Sequence, residues 1–477
     1  MNLKITENYI WLPAASDCDE VKLHIYYKET KIGEIDVKLS LEPDFYFPMD
    51  VSEFVGKELK ICSECDESFL KAITCHDDIY KTKYPYRPRI HFTTKSGWIN
   101  DPNGLIYDNG IYHMFYQFNP YGIDWGNMHW GHAVSKDLIS WDLRDIALFP
   151  DEYGTVFSGC AFKDEKNASG YGKDALLFFY TAAGGFNKWS ENRGSTQRVA
   201  VSYDNAKTLI KKDMILDMIK EGNRDPKVFY HDKSGSYVMV LYLIDNEFAI
   251  LVSDDLKNWK ESERLSFDGM WECPDLFELE TDRGDEKRWV FWSADGYYVL
   301  GDFDGYHFSK ESEVYSAYDT KLPYAAQTYA GTERRISVAW YRTQNDRGLF
   351  KGMMSIPNEL SLVHTDNGLR IGFKPVHELF DLSVRIRVSQ DAGFYEKLSG
   401  DPVLVMIEWK KDESSPVFIG DIKIDKKAAT ILIDHGIIEY YSKDGTVYGA
   451  IEASEDILSH SIRIDSAVES IEIRKIV

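Results

Sequence analysis

Ser135-Lys136-Asp137-Leu138-Ile139-Ser140-Trp141 returns further along the chain as Ser253-Asp254-Asp255-Leu256-Lys257-Asn258-Trp259, with Ser202-Tyr203-Asp204-Asn205 and Asp302-Phe303-Asp304-Gly305 as degenerate relatives. The starts at 135, 202, 253 and 302 lie 67, 51 and 49 residues apart, a period expected of four-stranded propeller blades. One copy of Ser-x-Asp-Leu-x-x-Trp is no more than a favourable hairpin turn, and its near-constant return is what favours a repeat architecture. Residues 89–365 run in aromatic and β-branched stretches such as Leu176-Leu177-Phe178-Phe179-Tyr180 and Tyr237-Val238-Met239-Val240-Leu241. At about 50 to 60 residues per blade, that length predicts about five blades.

Both flanks are also β-like. Val21-Lys22-Leu23-His24-Ile25-Tyr26-Tyr27 and Ile35-Asp36-Val37-Lys38-Leu39 alternate between charged turns and predict a small antiparallel module. Its acidic tail, Cys65 to Asp78, gives way to Tyr84-Pro85-Tyr86-Arg87-Pro88, whose prolines oppose regular structure and mark a junction. Beyond 375, Val403-Leu404-Val405-Met406-Ile407-Glu408-Trp409, Ala429-Thr430-Ile431-Leu432-Ile433-Asp434 and the hairpin signal Asp444-Gly445 predict a sandwich. The expected fold is therefore all-β: a small N-terminal β module over 1–82, a five-bladed β-propeller catalytic domain over 83–370, and a C-terminal β-sandwich over 371–477.

The 477 residues are 14% aromatic and carry a formal charge of −23, from 55 basic and 78 acidic side chains. Nucleic acid and anionic membrane both need a basic face, so neither is an expected partner, and a neutral substrate or a small partner fits better. Six cysteines, at 18, 62, 65, 75, 160 and 273, are too few and too irregular for a disulfide framework and read as free thiols. Cys62-Ser63-Glu64-Cys65 followed by Cys75-His76 lacks the second pair of a zinc ribbon, so no metal is expected. The chain begins with no basic-then-apolar leader and has no 18-residue apolar run. A cytoplasmic protein is expected, or a secreted one if a signal segment was removed.

Three acids stand in unusual local settings. Asp101 lies in Trp98-Ile99-Asn100-Asp101-Pro102-Asn103-Gly104, whose composition reads as a turn, either a plain strand connection or a loop that aims Asp101. Asp225, in Arg224-Asp225-Pro226, sits beside a cation expected to keep it ionised. Glu272, in Trp271-Glu272-Cys273-Pro274-Asp275, is expected to meet an indole and a thiol that raise its pKa. Separations of 124 and 47 residues put the three on different blades, and blades converge at one end of a central channel. One charged and one neutral carboxylate are what glycosidic cleavage requires. Singly, each has an ordinary explanation as a surface acid among 78.

In the same order, the three segments resemble the signature motifs of glycoside hydrolase family 32, the β-fructofuranosidases, which include invertases, levanases, exo-inulinases and sucrose-6-phosphate hydrolases. Phe115-Tyr116-Gln117-Phe118-Asn119-Pro120, Trp125-Gly126-Asn127-Met128-His129-Trp130-Gly131-His132, Phe157-Ser158-Gly159-Cys160 and Met354-Ser355-Ile356-Pro357-Asn358-Glu359-Leu360 extend the resemblance over about 87–362. It implies a retaining, exo-acting β-fructosidase for fructans, fructo-oligosaccharides or sucrose, with no cofactor and no metal. Asp101 would be the nucleophile, Glu272 the general acid/base and Asp225 the transition-state stabiliser, with the Asp101 and Glu272 carboxyls about 5 to 5.5 Å apart. Asn100, Gln117, Trp125, Ser158 and Arg224 would line the first fructose site, with Phe157 as a further wall; for Trp125 the competing reading is a buried propeller aromatic. Trp340 is left out of the set. Sucrose-6-phosphate hydrolysis would need a cation cluster that the sequence does not reveal, and fructosyl transfer would use sugar in place of water. An arabinan-cleaving five-bladed enzyme shares the Asp, Asp, Glu logic, and a non-catalytic carbohydrate-binding propeller is the reading outside the class. The N-terminal module resembles the extra domain before some bacterial levanase-like members, where it would bind sugar, cover an edge or support an oligomer.

Overall fold

The recurring Ser-x-Asp segment is a turn closed by its own side chains. Ser135 Oγ donates to Asp137, whose Oδ1 accepts the backbone N–H groups of Ile139 and Ser140 at 2.9 and 2.6 Å, while Leu138 takes a φ of +64°. Ser253, Asp255, Lys257, Asn258 and Leu256 (φ +60°) repeat that geometry. Ser202 and Asp204 build a looser version, and Asp304 accepts from Tyr306 and His307 around Gly305. All four join the third and fourth strands of successive sheets, so the hairpin-turn and repeat readings describe one feature.

The computed structural model describes residues 1–76, 87–344, 349–390, 393–398, 401–410, 415–425, 427–453, 461–466 and 468–477. The expected acidic tail beyond 76, the junction residues Tyr84 to Tyr86 and the boundary at 82/83 lie outside them. The described chain is all-β apart from short helical turns such as Glu67–Lys71 and Glu378–Asp381. No helix among the described residues is long and apolar enough to cross a membrane.

Five sheets follow one another between residues 97 and 375, antiparallel except that Phe350–Lys351 joins the first in parallel beside Gly97–Asp108. Their innermost strands are Gly97–Asp108, Thr155–Asp164, Arg224–His231, Asp275–Glu280 and Pro323–Thr328. The first innermost strand packs against the second and the fifth, the second also against the third. Ile106 forms a parallel bridge with Ala330 between the first and fifth, and the buried Lys227 ammonium ties the third to Thr328 of the fifth (2.6 Å) and Asp275 of the fourth (3.0 Å). The fifth sheet ends on Gly368–Pro375, paired with Asn358–Thr365, so the boundary expected at 370 falls inside a strand.

Trp98 to Gly104 is not a turn. It lies within the twelve-residue strand Gly97–Asp108 and is paired with Ile111–Asn119 through two irregularities, between Ile99 and Pro102 and between Asn103 and Ile106. Asn, Asp, Pro and Gly cluster because bulges need them: Pro has no ladder N–H to lose, and Gly104 at φ +52° has Phe115 within 2.8 Å of where a Cβ would stand.

C-terminal to these sheets, a six-stranded sheet (strands Ser383–Ser389, Val403–Trp409, Ala428–Asp434, Ile437–Ser442, Tyr448–Glu452 and Val468–Ile476) and a four-stranded one share a core of Val, Ile and Leu. A buried polar hub binds this part to residues 89–91, to the strand Ile336–Tyr341 of the fifth sheet and to Ile356. Asp434 accepts from the backbone N–H groups of Arg89, Ile90 and His91 and from the His91 ring at 2.9 Å; Glu439 accepts from the other His91 nitrogen at 3.1 Å, from Ile356 N–H and from Tyr341 and Tyr441. At the N-terminus, a four-stranded sheet (Asn2–Lys4, Glu58–Cys62, Val21–Tyr27, Thr30–Val37) and a three-stranded one (Phe45–Asp50, Tyr9–Ala14, Thr74–Cys75) enclose a core that also takes in Tyr121, Ile123 and Leu349 of the central region. All six cysteines are free of disulfides.

Candidate active site

A register irregularity recurs near the start of the innermost strands. It falls between Ile99 and Pro102, Val156 and Gly159, Arg224 and Lys227, and Tyr324 and Gln327. The fourth strand is preceded instead by Glu272 and Cys273 at φ +50° and +42°; Asp225 (+62°) and Ala325 (+50°) share that left-handed backbone. Non-glycine residues reach this region at a cost, and each re-aims a side chain that the pleat alone would send elsewhere. The re-aimed groups share a cavity of about 430 Å³, within the range of small-molecule sites.

Asn100, Asp101, Gln117, Trp125, Phe157, Ser158, Arg224, Asp225 and Glu272, the nine residues singled out from sequence, all line this cavity. Ser158 Oγ donates to Asp101 Oδ2 at 2.6 Å, and Asn100 Nδ2 to Oδ1 at 3.2 Å. Burial raises the Asp101 pKa; these two bonds oppose that, and the Glu272 charge adds to it. Trp98 Nε1 fixes the Asn100 amide at 2.8 Å, and Gln117 is spent on the Val156 carbonyl at 2.9 Å. Trp125 is half exposed, so it is a rim aromatic and not a core one.

Two environments differ from expectation. Asp225 is not kept ionised by its neighbouring arginine: burial, followed by the Asp101 and Glu272 charges, overrides Arg224 and raises its pKa to about 7. Arg224 Nε stands 3.8 Å from Asp225, while its Nη2 bonds Glu272 Oε1 at 2.5 Å. Glu272, in turn, does not rest against Trp271. That indole donates to Asp295 at 2.6 Å and is 45% exposed, while the Cys273 thiol faces Asp225 (3.5 Å) and Asp101 (3.7 Å). The second partner of Glu272 is the Tyr324 hydroxyl, which donates to Oε2 at 2.6 Å. Cys273 contributes its backbone N–H to Asp225 Oδ2 at 3.0 Å, and burial among three carboxylates pushes its thiol pKa well up.

The cavity also takes in Phe186, Ser195, Glu221, Gly222, Tyr324 and Trp340. Trp340, left out from sequence, packs edge-on against Trp98 and Tyr324, and its buried indole N–H lacks a protein partner. Tyr324 is the last paired residue before the fifth innermost strand's irregularity, the position that Arg224 holds in the third. Locating that strand in sequence was the signal that would have found it. Among the described lining residues Arg224 is the one Lys or Arg, and it is already paired.

Residues 91–373 match the model for the glycosyl hydrolases family 32 N-terminal domain. A levanase of Bacillus subtilis (strain 168) is 38% identical in an alignment of 330 positions that covers 62% of this chain and 47% of that protein. The chain thus spans about half the length of that relative. In three dimensions it is similar to the exo-inulinase of Aspergillus awamori (TM-score 0.71, 24% identity, covering 83% of this chain and 99% of that one). It is also similar to a fructofuranosidase of Schwanniomyces occidentalis in complex with fructosylnystose (TM-score 0.69, 23% identity, covering 84% and 99%).

Proposed function

The chain belongs to glycoside hydrolase family 32, and on that premise we propose that it is a retaining, exo-acting β-fructosidase that releases fructose from the non-reducing ends of fructans, fructo-oligosaccharides or sucrose. The observation that carries this reading is the convergence of Asp101, Asp225 and Glu272, from three different sheets, on one cavity. The same reading takes the five successive sheets as blades of a five-bladed β-propeller, the two C-terminal sheets as a β-sandwich beginning after Pro375, and residues 1–82 as a separate module.

In this mechanism an Asp101 carboxylate oxygen attacks the anomeric C2 while Glu272 gives its proton to the departing glycosidic oxygen, which leaves with the bond's electron pair. Ser158 and Asn100 hold Asp101 in line, as Arg224 and Tyr324 hold Glu272. Asp225 bonds sugar hydroxyls more strongly as the ring gains oxocarbenium character. Water, deprotonated by Glu272, then attacks C2 and frees Asp101, and two inversions give net retention. A phosphorylated sugar is disfavoured because the lining arginine is committed to Glu272. Fructosyl transfer uses the same intermediate with a sugar in place of water and is separated by product analysis at high sucrose.

The test is fructose release from sucrose, inulin and levan by the intact protein and by Asp101→Asn. Fructose as the single small sugar released early from inulin and levan, and fructose with equimolar glucose from sucrose, is expected of the wild type, with loss in the variant. Equal activity of the two refutes the assignment.

A further inference from the structure

The N-terminal module reaches the two segments that carry the outer aromatic wall of the cavity. Trp125, Phe157 and Phe186 stand together, with ring centroids 5.9 Å (Trp125–Phe157), 4.8 Å (Phe157–Phe186) and 6.2 Å (Trp125–Phe186) apart. Phe157 belongs to an innermost strand, but Trp125 and Phe186 lie on connections and are 50% and 56% exposed. Burial therefore does not hold these two rings, and their position depends on what holds the connections.

Both connections are fastened to residues 31–38. Asn127 exchanges two hydrogen bonds with the Asp36 backbone, Asp36 N–H donating to its Oδ1 and its Nδ2 donating to Asp36 O, each at 2.7 Å. Next to Trp125, Asp124 pairs with Lys38 at 2.8 Å. Just before these residues, Tyr121 and Ile123 are buried in the module's own core beside Leu12, Phe47 and Val37. On the other connection, the buried carboxylate of Glu34 accepts the Lys188 N–H at 2.7 Å, at the turn Lys188–Ser190 that follows Phe186. The Lys31 ammonium lies 5.0 Å from the Trp189 ring centre and also bonds Glu34. None of these module residues touches Asp101, Asp225 or Glu272.

We propose that the N-terminal module is a built-in part of the substrate site: Glu34 and Lys38, with the Asp36 backbone, are positioning groups that hold Phe186 and Trp125 against the sugar. This rests on the reading of the cavity as a fructoside site. Because the carboxylates are fixed by other sheets, loosening the tethers weakens binding and leaves the chemical step alone, a change in KM with kcat preserved. Glu34→Gln keeps an oxygen for the Lys188 N–H, whereas Glu34→Ala removes it.

The experiment measures kcat and KM on inulin, and amide hydrogen exchange by mass spectrometry, for the full chain and for Glu34→Ala, Glu34→Gln and Lys38→Ala. Glu34→Ala is expected to raise KM about tenfold with kcat within twofold and to speed exchange in 186–190. Glu34→Gln is expected to return KM to within about threefold of wild type, and Lys38→Ala to raise KM about threefold with faster exchange in 120–128. Unchanged KM and exchange in both alanine variants overturn the proposal, as does a loss of kcat and thermal stability at constant KM, which marks a scaffold only. Should Glu34→Ala not fold, Lys38→Ala, which breaks a surface pair, decides. A wild type that releases no fructose from sucrose, inulin or levan refutes the functional reading instead, and the exchange rates still decide whether the module holds the two segments.

Discussion

Four lining carboxylates, Asp101, Glu221, Asp225 and Glu272, around one paired arginine make the cavity electrostatically expensive, and Asp225 carries the clearest share of that cost. Its pKa rises from 3.8 to about 7, chiefly through burial. Below pH about 4 the folded and unfolded chains both hold the proton. Between about 4 and 7 the unfolded chain releases it and the folded one keeps it, so stability falls as pH rises, by up to about 1.4 kcal/mol per pH unit. Above about 7 both are ionised and the loss is complete. Three units correspond to a ceiling of about 4 kcal/mol. Asp225→Asn carries no titrating proton and still offers an oxygen to the Cys273 N–H, so it escapes this loss. Its stability advantage over the wild type is expected to grow from pH 5 to 7 and to level off above about 7.5, reaching about 2–4 kcal/mol. For a chain of this length that is roughly 1 °C of melting temperature per kcal/mol. The assay compares thermal midpoints of the two proteins at pH 5, 6, 7 and 8 in one buffer series, with fructose release measured in parallel and expected to fall at least about 100-fold, the size of a lost charged transition-state contact. A gap that stays constant from pH 5 to 8 refutes the reasoning, whatever happens to activity.

Tyr324→Phe removes the hydroxyl that orients Glu272 but keeps the ring against Trp340; kcat is expected to fall about 10- to 100-fold with little change in melting temperature, since a bond to a carboxylate is worth about 1.5–3 kcal/mol. His91 is buried between Asp434 and Glu439, whose bonds outweigh burial and lift its pKa to about 9. Its stabilisation is full below about pH 6.5 and lost as pH rises through about 9, so thermal stability should drop across that window; His91→Gln should cost about 3–5 kcal/mol, with a smaller drop, in melting curves from pH 6 to 10. Proton NMR of the first-formed fructose, or of a methyl fructoside made in methanol, should report retained configuration, and inversion would rule out Asp101 as nucleophile.

Much of the site was legible because its residues come in short, chemically odd clusters. Asn100-Asp101-Pro102-Asn103-Gly104, Arg224-Asp225-Pro226 and Glu272-Cys273-Pro274 hold prolines, glycine and acids together where a plain strand would carry alternating apolar residues. The clusters were conspicuous because each breaks its ladder or precedes one, even though the first was misread as a turn. Tyr324 and Trp340 lie in stretches that read as ordinary strand, Pro323–Thr328 and Ile336–Tyr341, and nothing local distinguishes them from core aromatics. Phe186 follows a pair of glycines in a connection whose place at the rim depends on an N-terminal module roughly 150 residues earlier.

By itself the sequence determined the all-β composition and the spacing of the repeated Ser-x-Asp turns, because these depend on side-chain periodicity and on backbone demands made within a few residues, whereas the three carboxylates stood out from the other acids only through the resemblance of their segments to the family's motifs. Only the tertiary structure decided which groups each carboxylate meets. Arg224 is the chain neighbour of Asp225 yet bonds Glu272, and Trp271 is the neighbour of Glu272 yet turns away to Asp295. Adjacent residues on a strand point to opposite faces, and a bulge redirects them again, so proximity along the chain does not convey proximity of charge.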